Sequence, residues 1–213
     1  MTDRPLPMES GDRYPGFHVL SQRRHWDDAT RAVVESRVGT LPQIRFFTVA
    51  EEAAATALFD QLLDQRAEPK VPITRMVDVR LAEGQFDGWH HDSMPPDDQA
   101  WRQTLALLDD EARERCGRPF AECRWNEQND MLAQIHDSDA DFWRGMPRAL
   151  VWNLWNRYAC TAFYSHPSAW DEIGFAGPAY PRGYKNIGID RLEPFEVRDV
   201  RPQADPLREK HDE

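Results

Sequence analysis

The densest group of potential metal ligands in the sequence is His90-His91-Asp92. Two imidazoles and a carboxylate could hold a divalent ion, and together with His136 they would suit a metal-dependent hydrolase or lyase. Adjacent histidines on a helix point about 100° apart, so both reach one ion only from a loop. No HExxH or HxxxH spacing accompanies them. A polar loop after Gly88 is the preferred interpretation, and we assign no metal ligands.

The candidate nucleophiles are Cys116 and Cys123. No motif fixes a histidine or a basic residue beside either one, and Cys116 falls on the apolar stripe of a predicted helix, so we interpret both as small buried hydrophobic residues. The sequence lacks GxSxG, GxGxxG, GxxxxGK[ST] and CxxCH. These are the signatures of a nucleophile elbow, a dinucleotide site, a triphosphate site and covalent haem. We therefore predict no catalytic residue and no cofactor in this chain.

The charge of the chain narrows the classes of partner. Its 213 residues carry 26 basic and 37 acidic side chains, for a net charge of −11, which disfavours nucleic acid as a ligand. No run of about 18 apolar residues is present, so direct membrane insertion is not expected. Residues 1–14 lack the apolar core of an export signal, and Arg23-Arg24 is not followed by one. We expect a cytoplasmic protein, periplasmic only if a partner exports it.

Helical periodicity between two polar termini predicts an all-α protein. We expect a single compact multi-helix domain over residues 27–184, with an irregular strap at its C-terminal end. An extended arm is predicted at 1–26, and a C-terminal extension with a charged tail at 185–213. The predicted helices cover approximately residues 28–38, 48–66, 73–83, 97–116, 125–135, 147–162 and 169–173.

Three local signals support these helices. Thr48-Val-Ala-Glu51 has the pattern of a capping box, in which each side chain satisfies an amide of the other residue. Gly117 follows an apolar stripe and predicts a left-handed helix end. The spacing of Ala29, Val33, Val34 and Val38 predicts the buried face of the first helix. The helix near residues 147–162 is the most apolar, and we expect it to be central.

Residues 170–184, which we call the strap, form the candidate binding surface. Ser168 is predicted to cap the short helix that opens this region, and Gly174 to end it. The glycines and prolines that follow restrict the chain, which reduces the entropy lost on binding. Trp, Tyr and Arg dominate binding hot spots, although Trp170 and Phe175 suit the chain's own core equally well. The predicted partner interface is Trp170, Phe175, Tyr180, Pro181, Arg182 and Tyr184.

The strap and the helix before it also carry a family resemblance. Phe-Tyr-Ser-His-Pro167, Ala-Trp-Asp-Glu-Ile-Gly-Phe175 and Gly-Pro-Ala-Tyr-Pro-Arg-Gly-Tyr184 resemble the C-terminal signature of gluconate 2-dehydrogenase subunit 3 proteins. A looser similarity upstream includes Ile73-Thr-Arg-Met-Val-Asp-Val-Arg-Leu81 and Cys116-Gly-Arg-Pro-Phe120. The resemblance covers about residues 27–184.

The resemblance implies a non-catalytic small, or gamma, subunit of an FAD-dependent sugar or glucoside dehydrogenase. Such a subunit supports assembly and stability of a GMC-like large subunit that holds the FAD, and a cytochrome c subunit often passes the electrons on. Family members often carry a Tat signal that exports the partner, and this sequence has none. Two alternatives stay open. One is the metal-dependent hydrolase or lyase using His90, His91 and Asp92, and the other is a chaperone that binds the flavoprotein only during maturation.

Overall fold

The computed structural model describes residues 14–88, 90–186, 188, 191–198 and 200. Helices dominate this part of the chain, which confirms the predicted all-α class. The α-helices are α1 (Asp28–Val38), α2 (Val49–Leu62), α3 (Ile73–Ala82), α4 (Asp97–Cys116), α5 (Trp125–Asp137), α6 (Arg148–Ser165) and α7 (Pro167–Ile173). Short 3-10 helices cover Val19–His25 and Phe120–Glu122.

The described residues form two compact units. Leu41–Phe163 make up one, here the central unit, and the residues before 41 and after 163 make up the other, here the terminal unit. The domain limits predicted at residues 26 and 184 stay predictions. Residues 1–13 of the predicted arm and 201–213 of the predicted charged tail lie outside the described residues.

The predicted helix ends in the central unit are largely confirmed. Thr48 Oγ1 accepts a hydrogen bond from the Glu51 amide at 3.3 Å, and Glu51 Oε2 accepts one from the Thr48 amide at 2.8 Å, which completes the capping box. Gly117 ends α4 in the left-handed region, with φ of 72°. Helix α2 is shorter than predicted: it ends at Leu62 rather than near Arg66.

The core of the central unit forms around Trp101 of α4. Its ring is fully buried and lies 5.4 Å from Phe59 of α2 and 5.5 Å from Tyr158 of α6, measured between ring centroids. Aromatic side chains of this size supply most of the apolar area that such a core removes from water. The apolar residues of α6 that are buried include Val151, Leu154, Trp155, Tyr158 and Ala159.

The terminal unit differs from the sequence prediction in two respects. The predicted buried face of α1 is wrong at Ala29, Val33 and Val38, which are exposed, the two valines to 53% and 42%, whereas Val34 is buried. The described part of the predicted extended arm contains a 3-10 helix, and its first residue, Val19, is fully buried. Val19 packs in one cluster with Trp26, Val34 and Trp170, so this part of the arm belongs to a core.

A small hairpin between α5 and α6 was not predicted. Strands β1 (Phe142–Trp143) and β2 (Met146–Pro147) pair antiparallel across Arg144 and Gly145. Both turn residues have positive φ, at 48° and 83°, as the tightest hairpin turns require. The glycine between two apolar pairs was the available signal for this turn.

Candidate functional site

The strap begins in α7, whose start differs from the prediction. The helix begins at Pro167, and His166 rather than Ser168 caps it: His166 Nδ1 accepts a hydrogen bond from the Ser168 amide at 3.2 Å. Proline suits the first helical position because its missing N–H would have no partner there. Gly174 ends the helix with φ of 68°, as predicted.

Helix α7 is fixed to the 3-10 helix of the terminal unit by Asp171. Its carboxylate accepts a hydrogen bond from the Val19 amide at 2.6 Å, and His18 Nδ1 lies 3.7 Å from its other oxygen. Burial raises the pKa of Asp171 above its ordinary value. The first turn of the strap is thus held by a polar contact as well as by apolar packing.

Trp170 belongs to the core of the terminal unit. Its side chain is 5% exposed, and its indole N–H donates to the carbonyl oxygen of Tyr164 at 2.6 Å. The Arg37 guanidinium lies over the ring at 5.6 Å, and the Phe175 ring meets it edge-on at 5.3 Å. Trp170 therefore presents no open ring to a partner, and the alternative core interpretation describes its position. Phe175 is 39% exposed and sits at the margin.

Gly177 lets the strap pass directly over this core. Its φ is 76°, and an added Cβ would lie 2.7 Å from Trp26 Cζ2 and 3.0 Å from Val19 Cγ2. Only glycine combines this backbone conformation with so close an approach. The strap beyond Gly177 is therefore anchored on the core at one defined point.

The exposed part of the strap carries the two tyrosines of the predicted interface. The side chains of Tyr180 and Tyr184 are 64% and 55% exposed, and Pro181 is exposed between them. The Gly183 amide donates to the carbonyl oxygen of Ala179 at 2.9 Å, so the chain turns back on itself here. Two large amphipathic rings are thereby displayed on one short, closed turn.

Arg182 holds this turn rather than projecting from it. Its NH1 group donates to Gln22 Oε1 at 2.9 Å, and its guanidinium carbon lies 3.8 Å from the Phe195 ring centroid. The Tyr184 ring packs against the same phenylalanine at 5.9 Å. Burial lowers the pKa of Arg182, and its Nε and NH2 atoms are buried without a hydrogen-bond partner among the described residues. Arg182 acts as a positioning residue for the tyrosines.

We predict that His166, which lies just before the strap, makes the free energy of unfolding depend on pH. Burial lowers the pKa of His166 to about 4; a hydrogen bond with the Arg37 backbone opposes this shift, and the Arg37 cation adds to it. The folded chain therefore binds fewer protons than the unfolded chain between pH 4 and the ordinary pKa of 6.5. We expect the free energy of unfolding to be undiminished above that range and to fall through it as pH falls, by at most about 3 kcal/mol.

The control for this prediction is His166→Asn, because asparagine can cap a helix but does not titrate in this range. Urea denaturation of both proteins at about pH 7.5 and about pH 5 separates the histidine from other titrating groups, which the two proteins share. Equal losses of stability in the two proteins would contradict the assignment.

The structure does not assemble the metal site considered for His90, His91 and Asp92. His91 Nδ1 lies 2.9 Å from Asp92 Oδ1 and 2.8 Å from Ser93 Oγ, in an exposed turn. His136 pairs instead with its neighbour Asp137, at 2.6 Å. Within the described ranges, no cluster of three potential metal ligands includes any of these histidines.

Sequence reasoning missed a different group of donors. One ligand atom each from Cys116, Cys123 and Glu127 lies within 4.8 Å of the other two. Cys123 is buried as predicted, but Cys116 is only partly buried. The signal available in the sequence was the left-handed glycine directly after Cys116, which turns the chain back and lets the two cysteines meet.

Two buried carboxylates of the central unit are structural. Asp97 Oδ2 accepts a hydrogen bond from the Tyr158 hydroxyl at 2.6 Å and lies 3.2 Å from Arg157 NH2. Asp78 Oδ1 accepts the amides of Phe46 and Phe47, both at 2.9 Å, and its Oδ2 accepts the Arg45 amide at 2.8 Å. Each carboxylate is hydrogen-bonded to groups of its own unit, so we assign neither as a general base.

An open cleft of about 300 Å³ in the central unit contains His136. The imidazole packs against the Trp152 ring at 4.8 Å, and Gln61, Asn129 and Asn156 contribute amides to the lining. The cleft therefore combines an aromatic surface with amides and with the carboxylate of Asp137, which pairs with His136.

The family model for gluconate 2-dehydrogenase subunit 3 matches residues 49–177, more than half of the chain. The chain belongs to this family, and is thus a subunit of a dehydrogenase complex. No curated protein and no solved structure gives a significant match. The match includes α2 to α7 and ends at Gly177, so the two exposed tyrosines lie just beyond it.

Among the described residues, no helix is both long enough and apolar enough to span a membrane.

Proposed function

We propose that this chain is a non-catalytic accessory subunit that supports assembly and stability of an FAD-dependent, GMC-like sugar or glucoside dehydrogenase. The family match carries the proposal, because it makes the chain one part of a dehydrogenase. The sequence has no GxGxxG or CxxCH, which supports a chain that leaves the flavin and the haem to its partners. In this proposal FAD resides in the large subunit, and a cytochrome c subunit is a further candidate partner.

The partner-binding surface in this proposal is the exposed turn of the strap. Tyr180 and Tyr184 are more than half exposed, and tyrosine contributes large contact area at low entropic cost. Arg182 and Gly177 support them by fixing the turn on the terminal unit. Phe175 adds an apolar margin, and Pro181 stiffens the turn. Trp170 contributes from beneath as core rather than by direct contact.

We predict that Tyr180→Ala and Tyr184→Ala each weaken binding to the flavoprotein large subunit about thirtyfold, as loss of about 2 kcal/mol at a hot spot would. The melting temperature of the isolated chain should change little for Tyr180→Ala, because exposed side chains contribute little to folding, and should fall slightly for Tyr184→Ala, which loses its ring contact with Phe195. The measurement is the Kd of each purified variant for the large subunit from the same genome, titrated as the purified protein without this chain.

Two further variants make this test specific. Phe142→Ala removes an aromatic side chain that is 62% exposed in the β1 strand of the central unit, and it should leave the Kd unchanged. Arg182→Ala should lower the melting temperature as well as the affinity, because it loses Gln22 and Phe195. If the tyrosine variants lower the melting temperature while the affinity of the folded chain stays the same, the turn is structural and the interface lies elsewhere.

Coexpression also separates a permanent subunit from a maturation chaperone. A subunit remains with the large subunit through gel filtration at fixed stoichiometry, whereas a chaperone dissociates once FAD is bound. We favour the subunit because the family is described as one. Location follows the partner in this proposal: the chain is cytoplasmic, or periplasmic where it is exported together with the large subunit.

A further inference from the structure

The cysteine pair between α4 and α5 has no part in the proposed function. Cys116 is the last residue of α4, and Cys123 directly follows the 3-10 helix Phe120–Glu122. Their sulfur atoms lie within 4.8 Å of each other. Eight residues, 116–123, would form the closed loop, so little further ordering of the chain is needed to join the two sulfurs.

The surroundings of the pair favour a bond between the sulfurs over a bound metal ion. Glu127, the third potential ligand, already accepts the Arg124 amide at 2.7 Å and a charged hydrogen bond from Arg118. A metal ion would have to displace or tolerate that guanidinium. Cys123 Sγ donates toward the Pro119 carbonyl oxygen at 3.5 Å, the role of a protonated thiol rather than of a ligand.

The two thiols differ in a way that sets an order of reaction. Cys116 is partly exposed, and Cys123 is buried with 7% of its surface accessible. Burial and the nearby Cys116 sulfur raise the pKa of Cys123 to about 11, and the Arg118 cation opposes this shift. Thiolate attack therefore begins at Cys116, the more accessible of the two thiols, while burial keeps Cys123 protonated.

We infer that Cys116 and Cys123 form a thiol-oxidation site that closes to an intramolecular disulfide. With a low-molecular-weight disulfide as oxidant, the Cys116 thiolate attacks one sulfur, the S–S bond of the oxidant breaks, and the first thiol leaves with the proton from Cys116. Cys123 then attacks the Cys116 sulfur, and the second thiol leaves with the proton from Cys123. Two protein thiols are oxidised while one disulfide is reduced to two thiols.

The third cysteine of the chain provides a matched control. Cys160 is exposed on α6, and among the described residues it belongs to no cluster of three potential metal ligands. The full-length chain is incubated with glutathione disulfide, its remaining thiols are blocked with a maleimide, and its peptides are mapped by mass spectrometry. We expect a Cys116–Cys123 linked peptide without glutathione, while Cys160 is blocked or carries glutathione.

The variants distinguish a pair from two independent thiols. Cys123→Ser should trap glutathione on Cys116, Cys116→Ser should leave Cys123 reduced, and Cys160→Ser should leave the linked peptide unchanged. The inference is overturned if glutathione remains on Cys116 in the unaltered chain, or if oxidation links only separate molecules. It is equally overturned if purified protein holds a stoichiometric metal ion that protects both thiols. None of these results depends on the dehydrogenase partner, so failure here would leave the proposed function untouched.

Discussion

Asp78→Ala is expected to lower the free energy of unfolding by about 3–5 kcal/mol, because it leaves three backbone amides without their shared buried acceptor. The Asp78 side chain is fully buried in α3 and accepts three consecutive backbone amides, those of residues 45–47. Alanine offers those amides no acceptor, and the Asp78 position is closed to water. Urea denaturation followed by far-UV circular dichroism measures the loss.

The controls separate the lost acceptor from a general effect of substitution. Asp78→Asn keeps one oxygen for Phe46 and Phe47 but places an amide group opposite the Arg45 N–H, so it should lose less than alanine does. Asp130→Ala removes an exposed carboxylate on α5 and should change stability by less than about 0.5 kcal/mol. If Asp78→Ala behaves like Asp130→Ala, the carboxylate does not hold the segment before α2.

Trp101→Ala should cost about 3–5 kcal/mol of stability, the range for removal of a large buried aromatic side chain. The Trp101 ring is completely buried and contacts the rings of Phe47, Phe59 and Tyr158. Their edges would face a cavity that rigid helices close only in part. The free energy of unfolding from urea denaturation gives the magnitude.

Trp101→Phe tests whether shape or the indole N–H matters at this position. Trp101 Nε1 is buried and has no hydrogen-bond partner within the described chain, so its removal relieves an unsatisfied donor and offsets part of the lost packing. We expect a loss of about 1 kcal/mol or less. Trp155→Phe is the matched variant, because Trp155 Nε1 does donate, to Thr104 Oγ1 at 3.1 Å. A larger loss at Trp101 than at Trp155 would contradict this account.

The helix ends that sequence predicted well are those fixed by local chemistry. The Thr48–Glu51 capping box and the left-handed Gly117 each involve atoms within a few residues, so spacing alone identifies them. The face of α1 shows the limit of spacing. Periodicity says which valines share a face, but Val33 and Val38 are exposed because the buried cluster reaches only Val34.

The features that sequence could not predict depend on contacts distant in the chain. In the sequence Asp78 is an ordinary polar position of a helix. Its role could not be predicted because its hydrogen-bond partners lie 31 to 33 residues earlier. The burial of Trp170 depends on Val19, about 150 residues away. In the candidate binding surface, residue types selected Trp170 and Tyr180 alike, and only the structure separates the buried Trp170 from the exposed Tyr180.

The packing around Phe195 decides how this chain should be shortened for laboratory use. The family match ends at residue 177 and the family-like motif at residue 184, so similarity alone suggests cutting directly after the motif. Such a cut would remove Phe195, on which Arg182 and Tyr184 pack. It would also remove Glu193, whose carboxylate accepts the amides of Lys185 and Asn186. An expression clone, a fusion junction or a crystallisation variant has to retain the chain through residue 196 to keep the exposed turn of the strap intact.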